Sequence, residues 1–503
     1  MKTPKRLLPL LPALTAALGL MINATAPAQT FQVLYTFPAA STGARFDNGA
    51  GANPSGGLIL SGNTLYGTTV EGGNNTDAGT LFDLNTNGSN FTAFLIFTAN
   101  TTEYNPDAGL VLSGNTLFGT TEGGASYSGM VFAANANGAI TNLHTFAPGM
   151  IEQFNISQYR IVTNTDGVGP RSTLVLSQNV LYGTTETGGT NANGTVFAVD
   201  SNGSNFVNLH IFSGTSGAGT NYDGVFPFGG LALSGNMLYG TAAYGGTHGN
   251  GTVFAINTNT GVFTNLYNFT NGTDGAAPYA GVVVSGNKLY GTASYGGTAG
   301  NGTIFALNTD GTGFTNLHSF SAAAVNTNTG YSTNSDGTGP QGPLTISGTT
   351  LYGTAPSCGA NGSGTIFKLN TDGSGFTTLY SLSTIALNSA NSIYTNSDGF
   401  GVTSGLVLSG NTLYGTADNG GQNDFGTIFS LSLPTGPQLS TIHSGTNLVI
   451  TWPTNATGFT LESVTNLGST NWSTVSPPPV VINGQNTVTN AISGAKKFYR
   501  LYQ

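Results

Sequence analysis

A segment of the form Ser-Gly-Asn-x-Leu-Tyr-Gly-Thr begins at Ser61, Ser113, Ser177, Ser234, Ser285, Ser347 and Ser409, and no other feature limits the possible folds as sharply. Each copy is followed by Gly-x-(Val, Ile or Leu)-Phe, ending at Phe82, Phe132, Phe197, Phe254, Phe305, Phe367 and Phe429. A third element, Phe-Thr-Asn-Leu-x-x-Phe in its commonest form, follows at Phe91, Ile140, Phe206, Phe263, Phe314 and Phe376. After Phe429 it is missing, and the chain leaves the pattern at Pro434. The missing copy stands at the opposite end, as Phe31-Gln32-Val33-Leu34-Tyr35-Thr36-Phe37.

Each unit reads as four short strands: a Gly-Leu-x-Leu run, Leu-Tyr-Gly-Thr, Gly-Thr-Val-Phe-x-Leu, and Phe-Thr-Asn-Leu-x-x-Phe. Ser-Gly-Asn and Asn-Thr-Asp-Gly between them are turn chemistry that tolerates positive backbone angles. Seven four-stranded meanders of about 58 residues predict an all-β fold, a seven-bladed β-propeller. The displaced N-terminal strand is expected to complete the last blade and close the ring, because an open ring would leave unpaired sheet edges. A truncated repeat capping a linear solenoid is the alternative. Gly67, Gly119, Gly183, Gly240, Gly291, Gly353 and Gly415 share one position, where the missing side chain is expected to let neighbouring backbones approach near the axis.

Composition narrows the partners. Of 503 residues only 6% are charged, with 11 basic against 20 acidic side chains and a formal net charge of -9. So few cations cannot neutralise a phosphate backbone, so no nucleic acid and no anionic membrane surface is expected as a partner. Apolar residues at 38% and aromatics at 10% supply a core, so low charge here does not mean disorder.

Lys2, Lys5 and Arg6 precede an apolar run from Leu7 to Ile22 and a small-residue stretch ending Ala26-Pro27-Ala28, the pattern of a secretory signal peptide over 1–28. The expectation is an exported protein, secreted or at the cell surface, without a membrane span after signal removal. Cys358 is the only cysteine, which excludes an intramolecular disulfide and leaves stability to packing. The propeller is expected over 29–436. Beyond the Pro434–Pro437 linker, 437–503 holds both tryptophans, Trp452 and Trp472. Strand-like runs at Leu448–Trp452, Phe459–Ser463, Val480–Ile482 and Lys497–Leu501 predict a small immunoglobulin- or fibronectin-like β-sandwich, a sorting or spacer module or a plain cap.

The Leu-Tyr-Gly-Thr-Thr, Gly-Gly, Gly-Thr-Val-Phe and Asn-Leu-His-x-Phe run resembles the GloVer (Gloeo/Verruco) tandem repeat of bacterial exported proteins. The resemblance implies a secreted or surface-displayed protein whose repeats join one of several C-terminal anchoring or sorting segments. It carries no known catalytic residues.

Candidate chemistry lies in the loops from second to third strand and from fourth strand to the next first strand, which open on one propeller face. The longest of these are Ala147–Pro170, Ser321–Pro340 and Ser383–Val402. Asp166, Asp223, Asp274, Asp336 and Asp398 each precede glycine at one repeat position, either as turn-forming residues or as a ring of carboxylates able to hold a cation. Glu71, Glu122 and Glu186 follow the Gly-Thr-Thr segment of the first three units, either as solvated loop residues or as an acid set for glycoside chemistry. His144, His210 and His318 share a position with Tyr35, Leu95, Tyr267 and Tyr380, an interchange that points to packing and not to metal ligation. No cofactor, no metal and no catalytic residue is expected. The leading expectation is a monomeric, non-catalytic propeller whose loop face binds carbohydrate or protein. A polysaccharide hydrolase or lyase using loop carboxylates, and a structural envelope component, are the alternatives.

Overall fold

The computed structural model describes residues 29–39, 48–73, 77–98, 105–123, 129–154, 160–327, 329–388, 393–434, 439–454, 459–466, 471–492 and 497–502. The expected signal peptide, Arg45 and linker residues 435–437 lie outside them. The described residues are all β, in two compact units, Thr30–Ser432 and a second that holds Leu433–Gln503.

The larger unit is a β-propeller built from four-stranded antiparallel sheets, seven among the described residues. The first consists of Ile59–Ser61, Thr64–Thr69, Thr80–Asn85 and Thr92–Ile96, paired in chain order. The two-residue turn between its first strands holds Gly62 at φ 59°; in the third sheet Gln178 occupies this left-handed position at φ 55°. The last sheet departs from chain order. Its fourth strand is Thr30–Thr36, which pairs antiparallel with Thr427–Ser432, Thr30 opposite Ser432 and Thr36 opposite Thr427.

Alternation of side chains gives each sheet two apolar faces, and the core lies between successive sheets. Tyr239, Val253, Ala255 and Phe269 of one sheet pack on Val282, Leu289, Phe305 and Leu307 of the next. The same contact joins last to first: Phe37, Tyr414 and Ile428 share a cluster with Leu58, Leu65, Phe82 and Leu84.

The glycine after each Leu-Tyr has a different cause from the expected backbone approach. Gly240 lies opposite Phe254 across the strand pair, and a Cβ on it would stand 2.5 Å from the Phe254 ring. Gly67, Gly119, Gly183, Gly291, Gly353 and Gly415 meet the partner phenylalanine in the same way, at 2.4–2.6 Å. The glycine makes room for a fully buried ring. Close backbone approach occurs instead at the innermost loops, where a Cβ on Gly281 would stand 1.9 Å from the Gly230 carbonyl oxygen.

The histidine position is a stacking position. His144, His210, Tyr267 and His318 lie flat on Phe206, Phe263, Phe314 and Phe376 of the following sheet, with centroids 3.6–4.0 Å apart. The series runs through the N-terminal strand as well. Tyr380 stacks on Phe31 at 4.1 Å, and Tyr35 on Phe91 at 3.8 Å. A flat, half-polar ring suits this position in six of the seven sheets, so His and Tyr interchange there, while Leu95 fills it in the first.

The three longest loops contain hairpins that sequence reading left as loops: Met150–Phe154 with Arg160–Thr163, Ala324–Val325 with Ser332–Thr333, and Ala386–Asn388 with Ile393–Thr395. In the second unit, a sheet of Ser440–Ser444, Asn447–Pro453, Gln485–Ala491 and Val480–Ile482 accompanies one of Ser473–Thr474, Thr460–Val464 and Phe498–Tyr502. Ile450, Trp452, Leu461, Val475 and Val488 form its core. Arg500 pairs with Glu462 at 2.8 Å and lies over the Trp472 ring at 4.3 Å.

Candidate functional site

The five expected aspartates are internal braces. Asp223 is buried, and its Oδ2 accepts from His210 Nε2 at 2.8 Å and from the Ser213 amide at 3.0 Å, while its Oδ1 accepts from the Ser213 hydroxyl. Asp166 with His144, Asp274 with Tyr267, Asp336 with His318 and Asp398 with Tyr380 repeat the arrangement at 2.9–3.0 Å. Each carboxylate ties the end of a fourth strand to the loop that follows. Burial favours the neutral form of Asp336, but hydrogen bonds from His318 and Ser321 outweigh it and hold the carboxyl below its ordinary range; Asp223 is held down in the same way by His210 and Ser213. Burial, then Asp274, raises the Tyr267 hydroxyl. With their oxygens so occupied, these residues form no open carboxylate ring. Among the described residues no three His, Cys, Asp or Glu side chains converge to hold a metal ion.

Two residues upstream, Asn221 completes the brace: its Nδ2 donates to the Ser213 and Gly224 carbonyls at 3.0 and 2.8 Å, and its Oδ1 accepts from the Gly224 and Gly246 amides at 2.9 and 2.8 Å. Asn164, Asn334 and Asn396 do the same, a role that the recurring Asn-x-Asp-Gly could have announced. The brace joins two loops of one sheet, and short bridges such as Val225 to Tyr244 and Phe400 to Asn419 finish the joint.

These bridges also correct the register of the glutamates. Glu122, Glu186 and Asp418 are equivalent, since their amides donate to Asn105, Gly169 and Gly401 at 3.0–3.2 Å. In the first sheet Val70 makes that bond, to Asn53, and Glu71 falls one residue later, bridging Ala52. Alternation across the strand then turns Glu71 away from the direction that Glu122 and Glu186 share.

The braced loops surround a cavity of about 360 Å³ lined by residues of every sheet in the unit. At its rim stand Ser55, Asp107, Arg171, Phe228, Tyr279, Gln341 and Thr403, one per sheet. Six follow a proline: Pro54, Pro106, Pro170, Pro227, Pro278 and Pro340. The prolines dock on the preceding sheet, where glycine leaves space. A Cβ on Gly129, Gly194, Gly251 or Gly302 would come within 2.6–2.7 Å of the proline Cδ, and Gly426 of the last sheet meets Pro54 at 2.5 Å. The frame around each rim residue therefore repeats while the rim residue itself changes. The sequence carries that signal as a proline at one repeat position followed by a different residue in each of six units.

Ion pairs and rings divide the rim. Arg171 Nη2 donates to Glu122 Oε1, and Arg171 Nε lies 3.2 Å from Glu186 Oε2. Asp107 accepts from the Ser55 hydroxyl. Burial opposes the charge on Arg171, but Glu186, Glu122 and Asp107 more than offset it and hold the guanidinium protonated. Burial also pushes the Glu186 carboxyl up against the pull of Arg171, with Glu122 and Asp107 adding to the rise. Asp418 Oδ2 accepts from the Thr403 hydroxyl at 2.7 Å, while its Oδ1 is enclosed without a hydrogen bond. Burial, supplemented by Asp107 and opposed by the Thr403 bond, pushes Asp418 up to about 8. Next along the rim, Phe228 and Tyr279 have ring centroids 5.4 Å apart; Tyr244 and Tyr295 join Tyr279 at 5.9 and 6.5 Å, and the Tyr244 and Tyr279 hydroxyls share a hydrogen bond. Tyr244 and Tyr295 remain 37% and 51% exposed, so the cluster is an open platform and not core.

Comparison with known proteins agrees with the motifs. Residues 149–333 match the Gloeobacter/Verrucomicrobia repeat. The matched stretch of this repeat contains Arg171, Glu186, Phe228, Tyr244, Tyr279 and Tyr295, so most of the rim's charged and aromatic groups are built on it. No curated protein matches the chain. Among solved structures, a puromycin-hydrolyzing peptidase of Mycobacterium tuberculosis aligns at 12% identity and TM-score 0.44, covering 83% of this chain and 62% of that one. An oligogalacturonate lyase in complex with manganese aligns at 12% identity and TM-score 0.43, covering 81% and 96%. A putative 6-phosphogluconolactonase from Bacteroides fragilis aligns at 14% identity and TM-score 0.41, covering 88% and 98%.

Proposed function

We propose that this is an exported carbohydrate-binding protein, a closed seven-bladed propeller over 29–436 that presents its rim cavity to polysaccharide at the cell surface or outside the cell, with 437–503 as a sorting or spacer module. Pairing of Thr30–Thr36 with Thr427–Ser432, and the docking of Pro54 on Gly426, support closure. The tripartite pattern over 1–28 supports export.

The observation that carries the binding reading is the aromatic cluster in which half-buried Phe228 and Tyr279 line the cavity and exposed Tyr244 and Tyr295 flank Tyr279. A pyranose ring offers a face of C–H groups that packs on an aromatic ring, and its rim hydroxyls require hydrogen-bonding neighbours. Gln341, Thr403 and Ser55 on the same rim are such neighbours. The test is affinity electrophoresis or calorimetry of the whole chain against a polysaccharide panel, with Tyr279→Ala and Phe228→Ala. Binding weakened roughly tenfold or more by either substitution is expected; unchanged affinity would remove the platform from the site.

A second reading, hydrolysis, is favoured by one observation: Glu122 and Glu186 converge on a single guanidinium, with the Glu186 carboxyl raised. That arrangement brings two acids within the few ångströms that glycoside chemistry needs. Release of reducing ends, abolished by Glu186→Gln, would establish it. Zero turnover with intact binding would leave the non-catalytic reading, and no binding to any glycan would favour a purely structural envelope role.

A further inference from the structure

Resting on that reading, we infer that the rim selects uncharged glycans and rejects polyuronates. Among the described residues Arg171 is the one basic side chain lining the cavity, and it does not face the cavity as a free charge. Its guanidinium is taken at Nη2 by Glu122 and flanked at Nε by Glu186. Asp107, also on the rim, adds a third carboxylate beside the pair. A sugar carboxylate entering the cavity therefore finds the Asp107 carboxylate in the lining and, at Arg171, a cation that Glu122 and Glu186 already neutralise. Inside a partly enclosed cavity such like charges repel far more strongly than in open water.

The remaining rim suits a neutral ring. Phe228 and Tyr279 supply apolar area, Gln341 both donates and accepts, and Thr403 and Ser55 carry hydroxyls. Below them the wall is made largely of Gly56, Gly109, Gly229, Gly281 and Gly405, which contribute no charge. Glu122 and Glu186 thus act as positioning residues. They fix Arg171 in place and cancel its attraction for anions, so the guanidinium is left as a rigid donor to hydroxyl oxygens.

The experiment compares whole chain binding to mixed-linkage β-glucan and galactomannan with binding to polygalacturonate and alginate at low salt. At least tenfold tighter binding of a neutral polymer is expected, and the gap should narrow in 1 M sodium chloride as repulsion is screened. The double variant E122Q/E186Q, which leaves only Asp107 to oppose the Arg171 charge, should admit polygalacturonate with an affinity gain of about tenfold. D107N, a milder change, should move in the same direction, and a thermal melt of each variant reports its folding. Tighter binding of a polyuronate than of either neutral polymer by the unmodified chain would overturn this inference while leaving carbohydrate binding intact. Failure of every polymer to bind would instead overturn the carbohydrate reading and this inference with it.

Discussion

At the scale of single residues, the repeat keeps a side chain where a neighbour leaves room for it or a buried group needs it. Gly240 and Phe254 form one such pair. Gly240→Ala places a methyl against a ring with no free volume, and a loss of about 1–3 kcal/mol is expected, measured by urea denaturation. The brace aspartates and Asp418 differ in what their surroundings do to them. Asp336 receives hydrogen bonds that hold its carboxyl down, so its contribution is present above the unfolded carboxyl range and is lost as pH falls through the folded value. Asp418 has the opposite sign. Its folded value of about 8 lies above the unfolded one, near 3.9, so the native state keeps a proton that the unfolded chain releases. Stability from this group falls as pH rises from about 4 to 8 and then levels off. Asp418→Asn should accordingly raise the melting temperature by roughly 2 °C or more at pH 8 and change it little at pH 4, measured by scanning calorimetry.

Among the elements, the strand Thr30–Thr36 has the greatest leverage. It covers the backbone edge of Thr427–Ser432, and its rings lie between two neighbours, Phe31 on Tyr380 and Tyr35 on Phe91. Removal of residues 30–37 would uncover a sheet edge and two aromatic faces at once. Amide exchange at 427–432 should then quicken by roughly a hundredfold or more, with aggregation following, and exchange mass spectrometry reads the first effect directly. The hairpins in the three long loops show how elements can elude sequence reading. Ala324–Val325 and Ser332–Thr333 are two residues long and exposed, so no apolar alternation marks them.

For the whole molecule, the closed ring proposed above predicts that the position of the chain ends is arbitrary. Thr30 and Ser432 are paired neighbours on adjacent antiparallel strands, the geometry that the four-residue turn Thr258–Gly261 spans between Asn257 and Val262 elsewhere in the unit. A permutant of residues 30–432, with a turn of Asn-Thr-Asp-Gly from 432 to 30 and new ends between Thr260 and Gly261, should melt within about 5 °C of the unpermuted unit. A linear array would not tolerate that joint, because its first and last strands would lie far apart, and calorimetry distinguishes the two outcomes.

The sequence by itself determined the sheets. Seven copies of Ser-Gly-Asn-x-Leu-Tyr-Gly-Thr, their partner segments and the displaced Phe31–Phe37 specify strand order, turn type and which strand completes which sheet, because these depend on local periodicity and on counting. The packing role of the shared His and Tyr position was likewise readable from the interchange itself. Only the tertiary structure decided the site. That the five aspartates face inward, that Glu71 is out of register with Glu122 and Glu186, and that Arg171, Phe228 and Tyr279 share one rim all depend on which loops the fold brings together. Arg171, Phe228 and Tyr279 lie more than fifty positions from one another in the chain. No local pattern encodes the direction of a side chain across a cavity; the loops that different sheets bring to one cavity do.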